Sequence, residues 1–249
     1  MKYISTSKKT RLPLLTLTVF TLGLSAPVLA ETPPAQEAED FRTDPAPVVN
    51  DPIHGANRAI FRFNDKAYTY VAKPVAHGYE RVVPKTARVG ISNFFENLKF
   101  PVRFVGSLLQ AKVKRASQEV EKFAINTTAG VAGFMRMSDK FPSLVDVPEE
   151  DIGQAFGSWG IGHGPYIVLP LLGPKSTRDF VGAIGDGLLN PIDWLNLAGA
   201  AVIPIDVVDT TSGLPEKMDV YDKMTKDAVD PYVAARNAYI SHRNAEVAR

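Results

Sequence analysis

The chain has 249 residues, 28 basic against 27 acidic, and no cysteine. The lack of cysteine excludes disulfides, thiolate metal sites and cysteine nucleophiles. The near-neutral charge argues against a dedicated nucleic-acid binder.

In chain order, the first eleven residues carry Lys2, Lys8, Lys9 and Arg11 with no acid, and an apolar run from Leu12 to Leu24 follows. The segment Ser25 to Ala30 then supplies Pro27 and small residues at a cleavage-like site. This predicts a signal peptide over residues 1–30, cleaved after Ala30, and export from the cytoplasm. An uncleaved anchor helix is the alternative, but the run is shorter than the roughly 20 apolar residues that span a bilayer. Cleavage takes four of the 28 basic residues and none of the acids, leaving 24 against 27 and a mildly acidic mature chain. Residues 31–50 hold Pro33, Pro34, Pro45 and Pro47 among five acids, a composition that reads as a flexible leader.

Asp51-Pro52 is expected to cap and open the first helix, from Ile53 to about Val71. Its residues sort into three stripes. Ala56, Ile60, Phe63, Ala67 and Tyr70 are apolar; Asn57, Phe61, Asn64 and Tyr68 mix amides with aromatics; Arg58, Arg62, Asp65 and Thr69 are charged or polar. A helix graded in this way suits a lipid, tail on the first face and headgroup on the others. The alternative is that Asn57 and Asn64 hydrogen-bond neighbouring loops inside a core.

Beyond it the periodicity stays helical, with breaks expected at prolines 74, 84, 101, 142, 148, 165, 170, 174, 191, 204 and 215. The fold class is therefore mostly α: one domain, residues 51–243, of many short amphipathic helices, followed by a tail over 244–249. Phe104, Val105, Leu108 and Leu109 form one apolar stripe, and Val120, Phe123, Ala124, Thr127, Val131 and Phe134 another, with Gly130 and Gly133 as stop points. Lys112, Lys114 and Arg115 between them suit either a lipid headgroup or solvent. In a helix over 176–189, Phe180, Ile184 and Leu188 align while Gly182, Gly185 and Gly187 leave room for another backbone. Asp230-Pro231 opens the last helix, with Tyr232, Ala235 and Tyr239 on one face. Nothing after residue 30 is long and apolar enough for an ordinary transmembrane helix.

The stretch Phe156 to Tyr166, with Gly160, Gly162 and Gly164, is followed by the apolar run Ile167 to Leu172. Pro165 stands where a dinucleotide fold needs a helix, so a phosphate-loop reading fails. Trp159 and Tyr166 around a proline-punctuated turn suit a membrane-interface or channel-lining loop, with a buried β-like hairpin as the alternative. His54, His77, His163 and His242 are scattered without metal-ligand spacing, and Ser158 misses the nucleophile-elbow pattern by one position. Arg178, Asp179 and Asp186 are expected to cap and ion-pair rather than catalyse.

The ordered set Asp51-Pro52, Asn57-Arg58, Phe61-x-Phe63-Asn64, Ser92-Asn93-Phe94, Asn97-Leu98, Gly160-x-Gly162-x-Gly164-Pro165-Tyr166, Thr177-Arg178-Asp179 and Asp230-Pro231-Tyr232 resembles the MlaA (VacJ) family. The resemblance runs from about residue 51 to 240. It implies a phospholipid-handling protein of the Gram-negative outer membrane, a ring of amphipathic helices in the inner leaflet around a channel. It further implies removal of phospholipid misplaced in the outer leaflet, association with a trimeric porin, and transfer to a soluble periplasmic lipid carrier of an ABC-transporter system. No enzyme activity, cofactor or metal is implied. The residues it assigns to the lipid pathway or its gating are Asn57, Arg58, Phe61, Asn64 and Tyr68; those bordering the channel are Trp159, Gly160, Gly162, Gly164, Pro165 and Tyr166. Family members typically carry a lipobox cysteine, which this sequence lacks, so attachment is expected through amphipathic helices, the porin or an uncleaved signal. The other readings are a soluble periplasmic adaptor that binds only protein partners, and a periplasmic hydrolase built on Ser158, His163 and Asp179.

Overall fold

The computed structural model describes residues 47–197, 218, 221–223, 225 and 228–249. The expected signal peptide and nearly all of the leader lie outside the described residues. Those described are mostly helical, with one short hairpin.

Helix α1 (His54–Ala67) runs through a π-helical turn (Tyr68–Ala72) into α2 (Lys73–Val82). A break was expected at Pro74. The wider π turn instead accommodates a ring that would clash with the carbonyl four residues back, so the helix continues past the proline. Helices α3 (Lys85–Leu98), α4 (Phe100–Leu109) and α5 (Val113–Thr128) follow, then a 3-10 turn (Met137–Lys140), α6 (Pro142–Val145) and α7 (Ile152–Ser158). Strands β1 (Tyr166–Leu169) and β2 (Gly173–Ser176) pair antiparallel, Tyr166 opposite Ser176 and Leu169 opposite Gly173, so the apolar run that follows the glycine-rich stretch forms a short hairpin. Helices α8 (Thr177–Leu189), α9 (Pro191–Leu197) and α10 (Pro231–Ala248) complete the described elements. Prolines 101, 142, 191 and 231 open helices, at positions where the missing N–H has no intrahelical partner to lose.

Caps divide into two kinds. Asp151, Ser176 and Asp230 accept hydrogen bonds from the first-turn amides of α7, α8 and α10. Asp51 does not cap α1, contrary to expectation; its carboxylate is taken by side chains instead. Helix α5 stops at Thr128, so Val131 and Phe134 lie beyond the stripe expected of them. The chain turns there through positive φ at Val131, Ala132 and Gly133, and Phe134 stacks on Phe94. Helix α10 continues to Ala248, so residues 244–248, expected as a tail, are helical.

Amphipathicity is inverted relative to a water-soluble helical domain. Leu108 and Leu109 of α4, Val120 of α5, and Phe180, Ile184 and Leu188 of α8 are exposed. Their opposite faces bury polar side chains: Arg103 and Ser107, Glu119 and Asn126, Arg178 and Asp179. The buried apolar cluster is small, formed by Tyr166, Val168, Tyr232 and Ile240, with Phe61 and Ile60 packed against it. Between helices α4, α7 and α8 the packing is backbone on backbone. A Cβ on Gly182 would stand 2.4 Å from the Gly153 amide nitrogen, and one on Gly106 would meet Glu150 and Asp151 at 2.9 Å. Among the described residues no helix is long and apolar enough to cross a membrane.

Candidate functional site

Two amides on α1 hold the hairpin. Asn57 is fully buried, donates to Asp51 (2.8 Å) and to the Tyr166 carbonyl (2.9 Å), and accepts from the Val168 amide (2.9 Å). Asn64 donates to the Leu169 carbonyl (2.9 Å) and accepts from the Leu171 amide (2.7 Å). Seven helical residues rise about 10.5 Å, close to the roughly 10 Å of three extended strand residues. The spacing of the two amides thus matches the spacing of the strand groups they bond. Between them Phe61 meets the Tyr232 ring edge-on at 5.7 Å.

Asp51 ties this unit to α10. Besides Asn57 it accepts from the Tyr232 hydroxyl and from Arg236 (3.2 Å), and it lies 3.1 Å from His54. Burial alone would raise its carboxyl, but the bonds from Tyr232, Asn57, His54 and Arg236 outweigh it and hold the group below the usual carboxylate range. Arg58 pairs with Asp230 at 2.5 Å and lies over the Tyr232 ring, 5.2 Å from its centre. Tyr68 donates to the Met218 carbonyl (3.2 Å) and to Asp222 (3.1 Å).

The second group of expected site residues is split. Tyr166, expected at an interface, is instead 1% exposed at the start of β1. Pro165 accepts from the Thr177 amide and hydroxyl, and Gly164, at φ +66°, faces the same threonine. Trp159 is exposed, with its indole N–H donating to the Leu109 carbonyl at the end of α4. Gly160, at φ +85°, and Gly162 face open space. Leu171 and Leu172 at the hairpin tip are 74% and 73% exposed.

The polar interior is organised by ion pairs. Arg243 of α10 bridges Asp151 (2.7 and 3.0 Å) and Asp179 (3.0 Å), and Asp179 also accepts from Tyr239 (2.6 Å) and Ser176 (2.7 Å). These donors overcome the effect of burial and hold the Asp179 carboxyl well below the carboxylate range. Glu119, with no exposed surface, pairs with Arg103 at 2.7 Å. Glu150 takes Gln110, Lys112 and Arg115, so two of the three basic residues offered to a headgroup are committed inside the protein. Asp186 lacks such company: burial, opposed by a bond from the Ile152 amide, pushes it up to about 6. It lines a cavity of about 360 Å³ with Glu96, Arg103, Glu149, Asp151 and Asp193. Ser158 donates back to the Ala155 carbonyl, and His163 bonds Asn244 and stands 3.9 Å from Asp179. Among the described residues no cluster has the make-up of a metal site.

Sequence reasoning missed the network at Asp51, the Arg243 bridge and the two tip leucines. The leucines had a signal, a pair of large apolar residues held between Pro170 and Gly173-Pro174. The ion pairs had none, since their partners are up to 185 residues apart.

The sequence profile of the MlaA lipoprotein family matches residues 49–246. The chain is 30% identical over 200 residues to the intermembrane phospholipid transport system lipoprotein MlaA of Escherichia coli (strain K12), covering 78% of this chain and 77% of that one. The protein of the same name from Haemophilus influenzae is 29% identical over 191 residues, with 76% of each chain covered. An uncharacterized protein of Rickettsia felis is 32% identical over 209 residues, covering 80% and 78%. A solved structure described as the structural basis for maintenance of bacterial outer membrane lipid asymmetry superposes with a TM-score of 0.66. It is 29% identical, and the match covers 80% of this chain and 99% of that one.

Proposed function

Because the chain belongs to the MlaA family, we propose that it transports phospholipid between membranes, acting at the periplasmic side of the outer membrane to maintain lipid asymmetry. The observation that carries this reading is the inverted amphipathicity. Large apolar side chains such as Phe63, Leu108, Phe180, Ile184, Leu188 and Trp194 are exposed, while Asn57, Ser107, Glu119 and Glu150 are fully enclosed. In water such an exterior is an aggregation hazard; against acyl chains it is the favourable arrangement. The described helices are too short or too polar to span a bilayer, which suits elements lying within one leaflet.

In mechanism, the apolar exterior faces lipid tails while the polar interior, including the cavity beside Asp186, offers headgroups a path out of the hydrocarbon. The hairpin, held to α1 by Asn57 and Asn64, is the element whose displacement would open or close that path, with Arg58, Phe61 and Tyr68 along the same helix. The loop from Trp159 to Tyr166 borders it. Misplaced phospholipid is drawn from the outer leaflet, a trimeric porin is the partner in the membrane, and a soluble periplasmic carrier of an ABC-transporter system receives the lipid. The operative domain is residues 51–243, behind a cleaved signal peptide over 1–30 and a leader over 31–50. No step requires bond cleavage in the lipid.

The test is purification from membranes in a non-phospholipid detergent, followed by extraction and thin-layer chromatography. Co-purifying phospholipid, together with outer-leaflet phospholipid accumulation in cells lacking the protein, is the expected result. A protein recovered lipid-free in the periplasmic extract would favour the soluble adaptor instead.

A further inference from the structure

A groove of about 450 Å³ lies between α1 and the start of α10, lined by Arg58, Phe61, Arg62, Val229, Asp230 and Tyr232 among others. Its two guanidiniums differ. Arg58 and Arg62 are four residues apart and so sit one above the other on the helix, but the charge of Arg58 is matched by Asp230 at 2.5 Å and by the face of Tyr232. Asp230 is in turn engaged by the Tyr232 and Val233 amides, and Asp65 accepts from the Tyr221 hydroxyl at 3.0 Å. Arg62 is exposed and makes no hydrogen bond or ion pair among the described residues. The groove therefore presents an uncommitted cation beside the half-buried Phe61 ring and the exposed Val229 side chain.

We propose that this groove recognises the phosphodiester of a phospholipid headgroup, with Arg62 as the principal contact and the half-buried Phe61 and exposed Val229 receiving the apolar portion beside it. The guanidinium fork matches two phosphate oxygens at once. The apolar lining separates a lipid from inorganic phosphate, which shares the anion chemistry but has nothing to set against Phe61 and Val229. Because Arg62 stands in solvent, the contact weakens as ionic strength rises. The proposal rests on the lipid-transport reading and adds to it a headgroup station on α1.

The experiment titrates the full chain, in a non-phospholipid detergent, with dihexanoyl phosphatidylglycerol, dihexanoylglycerol and inorganic phosphate in separate arms, scoring binding by native mass spectrometry. Wild-type protein is expected to bind the phospholipid and neither of the others at equal concentration. Arg62→Ala is expected to bind it about tenfold more weakly, the scale of one lost charge-assisted hydrogen bond, and Arg62→Lys to fall between them. Arg62 bonds none of the described residues, so the variants should retain the wild-type melting curve. Unchanged phospholipid binding in Arg62→Ala overturns this site while leaving lipid transport standing, and equal binding of inorganic phosphate makes it a free-anion site. A wild-type protein that binds no phospholipid sinks the transport reading itself.

Discussion

Replacing Asn57 with leucine removes a side chain that serves three partners at once: the Asp51 carboxylate, the Tyr166 carbonyl and the Val168 amide. Leucine is close in size, so little packing volume changes. The loss falls on polar groups left without partners where water has no access, since Asn57 has no exposed surface. Each stranded buried group costs about 1–3 kcal/mol, so the two strand groups together predict a loss of roughly 2–6 kcal/mol. Against a typical total stability of about 5–15 kcal/mol this is a large fraction. Asn64→Leu strands the Leu169 carbonyl and the Leu171 amide near the exposed hairpin tip, where water can replace the amide, and should cost on the order of 1 kcal/mol. Urea unfolding of both variants in detergent, followed by far-ultraviolet circular dichroism, measures the difference. Protein level in the envelope and outer-leaflet phospholipid are scored in parallel. Asn57→Leu should lower the amount of folded protein, whereas Asn64→Leu should leave the level near wild type and disturb lipid asymmetry. Equal unfolding midpoints for Asn57→Leu and wild type, or equal losses in the two variants, would refute the clamp.

Asp186 carries a carboxyl raised from 3.8 to about 6 chiefly by burial, so the folded state binds a proton more tightly than the unfolded chain. Its contribution to stability is fully present below about pH 4 and is lost as pH rises through about 6, by no more than about 3 kcal/mol before solvent screening. Asp186→Asn should therefore be more stable than wild type at pH 8 and lose the part of the pH dependence between 4 and 7, as thermal melts across pH would read. Gly182→Ala places a methyl 2.4 Å from the Gly153 amide nitrogen, and the forced separation of α7 and α8 should cost at least about 1–3 kcal/mol, measured by urea unfolding. Glu119→Ala leaves Arg103 buried without its main partner, a loss of about 3–5 kcal/mol by the same measurement. Replacing Leu171 and Leu172 with serine should lower the membrane-bound fraction in flotation assays without shifting the melting curve, because both side chains are already exposed in the folded protein.

Local signals carried the helical class and several of its boundaries. Asp230-Pro231 opens α10 as its sequence indicates, because a cap needs only a short polar side chain and the next three amides. Gly182 marked a close approach correctly because a missing Cβ has the same consequence in any fold. The three stripes of the first helix were legible as a pattern, and so were the motifs that carry the family resemblance. Which way each stripe faces was decided only by the tertiary structure. Periodicity distinguishes two faces of a helix but not inside from outside, and here ion pairs fill the interior beside α8, so Phe180, Ile184 and Leu188 look outward while Arg178 and Asp179 look in. Asp51 could have been a cap or a hub; the choice was made by Tyr232 and Arg236, more than 180 residues away. The same holds for Asn57 and Asn64. Their spacing is visible in the sequence, but that it equals three residues of a strand becomes visible only once β1 lies beside α1.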